Sequence, residues 1–153
     1  MKQKQRKQYA EEFGLAFEQF GITRMAGRIL GWLLVCEPPH QSPQDLQDAL
    51  QASKGSISTN TRMLERLNFV ERISLPGDRR TYFQVKADAW SGIMQTEVVA
   101  LEQFQNMTRR GLEQMDNEPE EQRRRLQEMH DFFQFIQKEL VTMMKHWEES
   151  KTI

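Results

Sequence analysis

The chain has 153 residues, 21 Lys and Arg against 22 Asp and Glu, and a formal net charge of −1, so it is long enough to bury a core without disulfides. Its single cysteine, Cys36, excludes an internal disulfide and a cysteine-based zinc site. The longest apolar run, residues 29–36, is too short to cross a bilayer, and the basic N-terminus has no apolar segment typical of a secretory signal. We therefore expect a soluble cytoplasmic protein without a membrane partner.

Charge is unevenly distributed along this nearly neutral chain. Residues 1–8 hold four bases and no acid, and residues 53–86 hold seven bases against three acids. The rest of the chain must therefore be acidic. A basic segment within an acidic chain indicates that one face meets one anionic partner.

The N-terminal third predicts two helices that pack closely. Aromatic residues at spacings of three and four between positions 9 and 20 indicate an amphipathic first helix. The second begins after Thr23, a possible N-cap, and is apolar on nearly every side as far as Cys36. Gly27 and Gly31 lie one turn apart on it, which predicts the close approach of another helix.

A helix-turn-helix follows. Ser42 at an N-cap and Pro43 at the first helical position start a short helix, which ends near Gln51. Ser53 can cap the next helix at once. Two helices joined by so short a turn form a helix-turn-helix by geometry.

The second of these helices, over residues 53–67, has a small, hydroxylated and basic outer face. If Ile57 faces inward, the 3.6-residue period places Gly55, Thr59 and Arg62 on the opposite side. The first part of the helix contains bases and no acid, which suits a polyanion. The alternative is a solvated face that is rich in Ser and Thr by chance.

A hairpin with a basic tip comes next. Residues 70–75 and 81–85 are β-branched and aromatic, and a Pro-Gly-Asp-Arg turn lies between them. Asn68 closes the preceding helix in a left-handed conformation, and Arg79 and Arg80 lie at the tip. Such a hairpin after a helix-turn-helix forms a winged helix, whose helix would enter a major groove while the wing reaches the flanking backbone or minor groove.

Two long helices complete the chain, and Pro119 starts the last one. This helix has an apolar seam at spacings of three and four over three heptads, typical of helix pairing. The predicted dimerisation residues are Leu126, Met129, Phe133, Ile136, Leu140, Met143 and Trp147. Phe132, Phe135 and Met144 widen the seam beyond what one neighbouring helix covers, which predicts that part of it meets a second copy of the chain.

These elements predict a mainly α fold with a small β-hairpin wing, in which N- and C-terminal dimerisation helices flank a winged helix-turn-helix. The expected segments are a basic tail and N-terminal helix for dimerisation (residues 1–22), a DNA-binding domain (23–86), a C-terminal dimerisation region (87–150) and a frayed tail (151–153).

Three motifs resemble MarR-type transcriptional regulators, particularly the GbsR-like branch. They are GITRMAGRILGWL at residues 21–33, ASKGSISTNTRML at 52–64 and VERISLPGDRRTY at 70–82. The resemblance covers roughly residues 9–150, and its second and third motifs are the specific ones. Asn68 departs from the pattern, since relatives often have glycine there.

The resemblance implies that double-stranded DNA is contacted from the second motif and from the wing, with Asp78 orienting a wing arginine. The implied contact residues are Ser53, Lys54, Ser56, Thr59, Asn60, Arg62, Arg79 and Arg80. We expect Arg62 to contact bases or phosphates and Lys54 to bind phosphate. Arg66 lies further along the helix, where it would either contact DNA or pair with Glu71 or near Glu65; we favour the structural pairing.

The resemblance also implies a small-molecule effector, since related regulators bind one between the winged helix and the dimerisation helices. GbsR-like members are associated with choline and osmoprotectant metabolism. Phe13, Phe17, Phe20, Trp32 and Trp90 would form a cage for a quaternary ammonium compound by cation–π attraction. Stripes of this spacing are more often plain core.

Other chemistry has no support in the sequence. His40, His130 and His146 have no metal-binding spacing, and we find no phosphate-binding glycine loop or catalytic grouping. Cys36, beside Glu37, is predicted to be a buried, unreactive thiol. We expect no metal, no cofactor and no enzymatic activity. The leading hypothesis is a homodimeric, sequence-specific repressor that responds to an effector; the alternative is a winged-helix module that binds another protein.

Overall fold

The computed structural model describes residues 1–151, apart from the side chain of Ile93. Its helices are α1 (Gln3–Glu18), α2 (Arg24–Val35), α3 (Pro43–Leu50), α4 (Lys54–Arg66), α5 (Ala89–Gln114) and α6 (Glu120–Ser150), and its strands are β1 (His40–Gln41), β2 (Val70–Ser74) and β3 (Thr81–Val85). This mainly helical chain with a small antiparallel sheet confirms the predicted fold class. Thr152 and Ile153, part of the predicted frayed tail, lie outside the described residues.

The chain forms two compact units, Met1–Trp90 and Ser91–Ile153, called here the N-terminal and C-terminal units. The N-terminal unit contains α1 together with the winged helix. The structure therefore groups the predicted segment 1–22 with the DNA-binding domain. No helix of the described residues is long and apolar enough to span a membrane.

Glycines bring α1 and α2 into backbone contact. A Cβ placed on Gly27 would lie 2.8 Å from the Cα of Gly14, and one on Gly31 would lie 2.6 Å from the Cβ of Phe13. These spacings are too short for any side chain. The close approach predicted from Gly27 and Gly31 is confirmed, and α1 is the helix that uses it.

Local capping sets where the helices begin. The side-chain oxygens of Thr23, Ser42 and Ser53 accept hydrogen bonds from backbone N–H groups three residues later, as predicted. Asn68 closes α4 with φ at 61°, also as predicted. Gln51 at the end of α3 has φ at 51°, a left-handed residue that the sequence did not suggest.

The sheet has the order β1-β3-β2, and both pairings are antiparallel. The predicted hairpin is confirmed: β2 and β3 pair from Val70 opposite Val85 to Ser74 opposite Thr81. The two-residue strand β1 was missed. It pairs His40 with Gln84, so its existence depends on a strand more than 40 residues away.

Within the C-terminal unit, α6 pairs with α5 of the same chain. Phe133 stacks on Phe104 with ring centroids 5.0 Å apart. A Cβ on Gly111 would lie 2.7 Å from Leu126 Cδ2. Leu126 and Phe133, two of the predicted dimerisation residues, therefore contact their own chain.

The end of α6 contacts the start of the same unit. Lys151 Nζ lies 3.2 Å from both Ser91 Oγ and Glu148 Oε1, and 5.2 Å from the Trp147 ring centroid. Lys151, which was assigned to the frayed tail, therefore has contacts within its own unit. Trp147, a predicted dimerisation residue, donates its indole N–H to Ser91 Oγ.

Candidate nucleic-acid interface

Helix α4, the second helix of the helix-turn-helix, is held by its inner face. Ile57 and Leu64 are almost fully buried there, as the helical period predicted for Ile57. Thr61 is buried beside them, and its hydroxyl donates to the carbonyl of Ile57 at 2.8 Å. This inner face fixes which side of α4 meets solvent.

The turn before α4 is stabilised by a residue that sequence reasoning missed. Arg28, on α2, donates from Nη2 to the carbonyl oxygen of Leu50 at 2.8 Å, at the end of α3. The same nitrogen lies 2.5 Å from Glu11 Oε1 on α1. Arg28 therefore joins α1, α2 and the helix-turn-helix turn. The sequence pattern offered no signal for it, because both partners are distant along the chain.

Most of the predicted contact residues of α4 lie on its solvent face. Ser53, Lys54, Thr59 and Arg62 are exposed, and Ser56 is half-buried. Among the described residues, a Cβ on Gly55 would meet no atom within 4 Å apart from its chain neighbours and the backbone of its own helix. This face could therefore be approached closely by a large partner.

The structure corrects the role predicted for Asn60. It was grouped with the DNA-contacting residues, but only 8% of its surface is exposed. Its Oδ1 accepts a hydrogen bond from the hydroxyl of Thr23, and its Nδ2 donates to the carbonyl of Ser56. Asn60 thus connects α4 to the start of α2, because burial of an amide requires partners for both its oxygen and its nitrogen.

The two arginines of α4 have different surroundings. The guanidinium of Arg62 lies along its own helix, with Nη2 3.0 Å from Ser58 Oγ and Nε 3.2 Å from the Ser58 carbonyl. Arg66 is exposed, and the pairing predicted for it is wrong. Glu65 pairs instead with Arg72 at 2.7 Å, and Glu71 accepts from Gln84.

The wing turn has the geometry that its sequence requires. Asp78 N–H donates to the carbonyl of Leu75, with Pro76 and Gly77 at the two central positions. Gly77 has φ at +79°, which a type II turn needs at its third residue and glycine adopts without strain. The turn places Asp78 beside the arginine two residues later.

Asp78, Arg80 and Tyr82 form a hydrogen-bonded group, called here the wing cluster. Asp78 Oδ2 lies 2.8 Å from Arg80 Nη2 and 3.0 Å from Arg80 Nε, and it accepts the Tyr82 hydroxyl at 2.6 Å. The Arg80 backbone N–H donates to Oδ1. Asp78 therefore holds Arg80 and not Arg79, and Tyr82 is a partner that sequence reasoning missed. Side chains two residues apart on an extended segment lie on the same face, so the position of Tyr82 two residues after Arg80 is the signal that could have identified it.

Charge states in the wing cluster follow from these bonds. Hydrogen bonds from Arg80 and Tyr82 lower the pKa of Asp78, and the same carboxylate raises the pKa of Arg80. Donation to Asp78 also raises the pKa of Tyr82. At neutral pH the cluster thus combines a carboxylate, a guanidinium and a neutral phenol.

The five aromatic residues predicted as an effector cage do not assemble. Phe13 stacks on Phe17 at 4.7 Å, but Phe20 is 80% exposed. Trp32 is 6% exposed, and its indole N–H donates to Gln41 in the core. The predicted cage of five rings is therefore wrong, because Phe20 lies on the surface whereas Trp32 lies in the core.

A different row of rings exists within the N-terminal unit. Phe69, which was not predicted, lies between Phe17 and Trp90, with centroid distances of 5.6 and 5.9 Å. Tyr9 extends the row beyond Phe13 at 5.8 Å. Rings in this arrangement stabilise one another by edge and offset contacts.

Cys36 is buried, as predicted. Its Sγ lies 3.2 Å from the carbonyl of Pro38, and burial raises the pKa of the thiol to about 11. Because the thiolate is the reactive form, this thiol is inert near neutral pH. Among the described residues, no group of three His, Cys, Asp or Glu is placed to bind a metal ion.

Comparison with known proteins identifies the family. The family model described as "MarR family" matches residues 20–81, and the one described as "MmpR5-like MarR family transcriptional regulator" matches residues 88–150. The chain is 42% identical over 130 residues to the HTH-type transcriptional regulator MmpR5 of Mycobacterium tuberculosis (strain ATCC 25618 / H37Rv). The matched segment covers 85% of this chain and 79% of that protein.

A solved structure is similar over nearly the whole chain. The crystal structure of a transcriptional regulator matches with a TM-score of 0.80 and 37% identity, covering 95% of this chain and 99% of that one. The chain therefore belongs to the MarR family of transcriptional regulators.

Proposed function

We propose that the protein is a sequence-specific DNA-binding regulator that acts in the cytoplasm as a homodimeric repressor. The observation that carries this proposal is the exposed polar and basic face of α4, in the same unit as a wing whose Arg80 is held in place by Asp78 and Tyr82. As a transcriptional regulator the protein is not an enzyme, as predicted.

DNA recognition would divide between two kinds of contact. Lys54, at the first turn of α4, and exposed Arg79 would neutralise phosphates, which supplies affinity without sequence preference. Ser56, Thr59 and Arg62 would face base edges in the major groove, where each base pair presents a distinct pattern of donors and acceptors.

Dimerisation is supported by apolar surface on α6. Phe132 is 59% exposed and Phe135 is 60% exposed, and Met143 is exposed as well. The α5 residues Val99 and Met107 are exposed as well. Soluble proteins rarely leave so many large apolar side chains in contact with water unless the surface binds a partner. A second copy would cover it and place two recognition helices on half-sites roughly 10 bp apart.

We also propose that the protein responds to a small-molecule effector. The row of rings through Phe17, Phe69 and Trp90 would suit an apolar or aromatic compound, and a quaternary ammonium compound remains a prediction. Assignment to the GbsR-like branch also remains a prediction, since the description that matches residues 88–150 is MmpR5-like.

The alternative is a winged helix that binds another protein through the exposed apolar residues of α6. It predicts no salt-dependent DNA binding and a hetero-complex in place of a dimer. The two functions predict different results in one measurement, the affinity of the protein for DNA as the DNA sequence and the salt concentration are varied.

The test is a titration of the protein with DNA from upstream of its own gene and with a shuffled sequence, at several salt concentrations. Arg62→Ala should weaken binding to the specific DNA by about 1–3 kcal/mol if Arg62 contacts a base. Lys54→Ala should weaken both DNAs alike and lower the salt slope by about one. Equal affinity of the unaltered protein for both DNAs at every salt concentration would refute the proposal.

A further inference from the structure

We propose that Tyr82 is a positioning residue for DNA reading by the wing: it holds the guanidinium of Arg80 in one orientation, so that Arg80 distinguishes base pairs in the minor groove while Arg79 binds phosphate. This inference rests on the proposed DNA-binding function and adds a residue that determines specificity.

The first step is the hydrogen bonding of the Tyr82 hydroxyl. It donates to Asp78 Oδ2 at 2.6 Å, the same oxygen that Arg80 Nη2 approaches to 2.8 Å. Arg80 and Tyr82 thus donate to the same carboxylate oxygen. Without the hydroxyl, the carboxylate would keep only the bonds from the Arg80 guanidinium and from the Arg80 backbone N–H.

The second step is the ring. Tyr82 is buried, whereas the Arg80 side chain is 65% exposed and lies over the Tyr82 ring with Cζ 5.2 Å from its centroid. The rings of His40 and Tyr82 pack nearly perpendicular to each other, with centroids 5.2 Å apart. His40 belongs to β1, which pairs with β3, so the platform below Arg80 is fixed by the sheet.

The third step is the set of donors that remains. A guanidinium has five N–H groups, and Asp78 engages the Nε–H and one N–H of Nη2. The remaining N–H groups point away from the carboxylate. They suit the minor-groove edge of an A·T pair, which offers only the acceptors N3 and O2, whereas a G·C pair adds the guanine N2 donor.

The fourth step separates the two neighbouring arginines. Asp78 offsets the charge of Arg80, which reduces its attraction to phosphate but leaves its directional donors. Arg79 is exposed, and no ion pair is formed by it within residues 1–151. A cation without a carboxylate partner interacts with phosphate mainly through its charge.

The experiment compares the unaltered protein with Tyr82→Phe, which keeps the ring and removes only the hydroxyl; Arg80→Ala and Arg79→Ala are matched controls. The probes are the footprinted upstream DNA and versions in which A·T pairs facing the wing are replaced by I·C or by G·C. Inosine lacks the guanine N2 group, so I·C resembles A·T in the minor groove alone.

The unaltered protein should bind the A·T and I·C probes alike and the G·C probe about tenfold more weakly. Tyr82→Phe and Arg80→Ala should lose most of this discrimination while keeping the salt slope. Arg79→Ala should weaken all probes and lower the salt slope by about one. The Arg80 Nε–H signal in nitrogen-15 spectra should be resolved in the unaltered protein and broadened by exchange in Tyr82→Phe.

The inference is overturned if Tyr82→Phe retains the discrimination, if it weakens all probes equally, or if the unaltered protein does not distinguish G·C from I·C. A thermal unfolding curve and the unchanged affinity for shuffled DNA show that Tyr82→Phe is folded. Failure of the proposed function is a separate result, namely that the unaltered protein has no preference for its upstream DNA.

Discussion

The two units of this protein differ in how they bury apolar side chains. In the N-terminal unit, α2 is buried on most sides, and Ile29 and Leu30 have no exposed surface. In the C-terminal unit, α6 has 31 residues and none of them is buried. A helix packed among several neighbours forms a core, whereas a pair of helices can cover only one stripe on each.

The contacts that join neighbouring helices also differ between the two units. Gly14, Gly27 and Gly31 bring α1 and α2 together at backbone distance. The α5–α6 pair has one such glycine contact, between Gly111 and Leu126, and adds polar contacts along its seam: Thr108 Oγ1 lies 2.8 Å from His130 Nδ1, and Gln105 bonds to Gln137. The N-terminal unit thus builds a core from several packed helices and a sheet, whereas large apolar side chains of α6 such as Phe132 and Phe135 remain exposed in the C-terminal unit.

The largest expected effect tests whether this exposed surface of α6 is an interface. Replacing Phe132 and Phe135 together by Glu should weaken dimerisation at least about 100-fold, because burying a Phe contributes about 1.5–3 kcal/mol and a buried carboxylate adds a further cost. Analytical ultracentrifugation measures this constant. Gln134→Glu, an added charge on the same helix, is the control. Equal dimer constants for all three proteins would mean that the apolar surface of α6 has another purpose.

The next effect tests the close packing of the N-terminal unit. Gly31→Ala should lower the free energy of unfolding by about 1–3 kcal/mol, because its Cβ would meet Phe13 at 2.6 Å. Chemical denaturation measures the change. Gly55→Ala is the matched control, since its Cβ meets open space and alanine favours helix, so it should stabilise by up to about 1 kcal/mol. If both substitutions stabilise, α1 and α2 are not held at backbone distance in solution.

The smallest effect tests the polar seam of the C-terminal unit. Thr108 is fully buried, and Thr108→Val should destabilise by about 0.5–1.5 kcal/mol because His130 loses its partner. Thr96→Val is the control: Thr96 makes the same hydroxyl bond to its own helix but is exposed. Thr96→Val should change the free energy of unfolding, measured by thermal unfolding, by no more than about 0.5 kcal/mol. Equal changes at the two positions would show that the contact with His130 contributes nothing.

Sequence reasoning was most successful where structure depends on neighbours along the chain. The N-caps at Thr23, Ser42 and Ser53 were all predicted, because a cap is a bond between residues three apart. The left-handed Asn68 and the β2–β3 hairpin are local in the same sense. Local patterns of this kind are therefore sufficient to locate the recognition helix and its exposed face.

The errors arose where a side chain's role depends on a distant element. Asn60 has the chemistry of a DNA-contacting residue, but Thr23 on another helix draws it inward. Trp32 lies on an aromatic pattern, yet Gln41 holds it in the core. The partners of Glu65 and Glu71 lie on β2 and β3, which left Arg66 exposed.

The sequence by itself determined the order of the helices, the hairpin and the position of α4, because periodicity, caps and turns act over a few residues. It did not give the start of α1, which lies at Gln3 within the predicted basic tail. Only the tertiary structure decided which of the polar residues on α4 face outward, which wing arginine Asp78 holds, and that Tyr82 completes the wing cluster. Those outcomes depend on which elements pack side by side, and the free energy of that packing is shared among residues far apart in the chain.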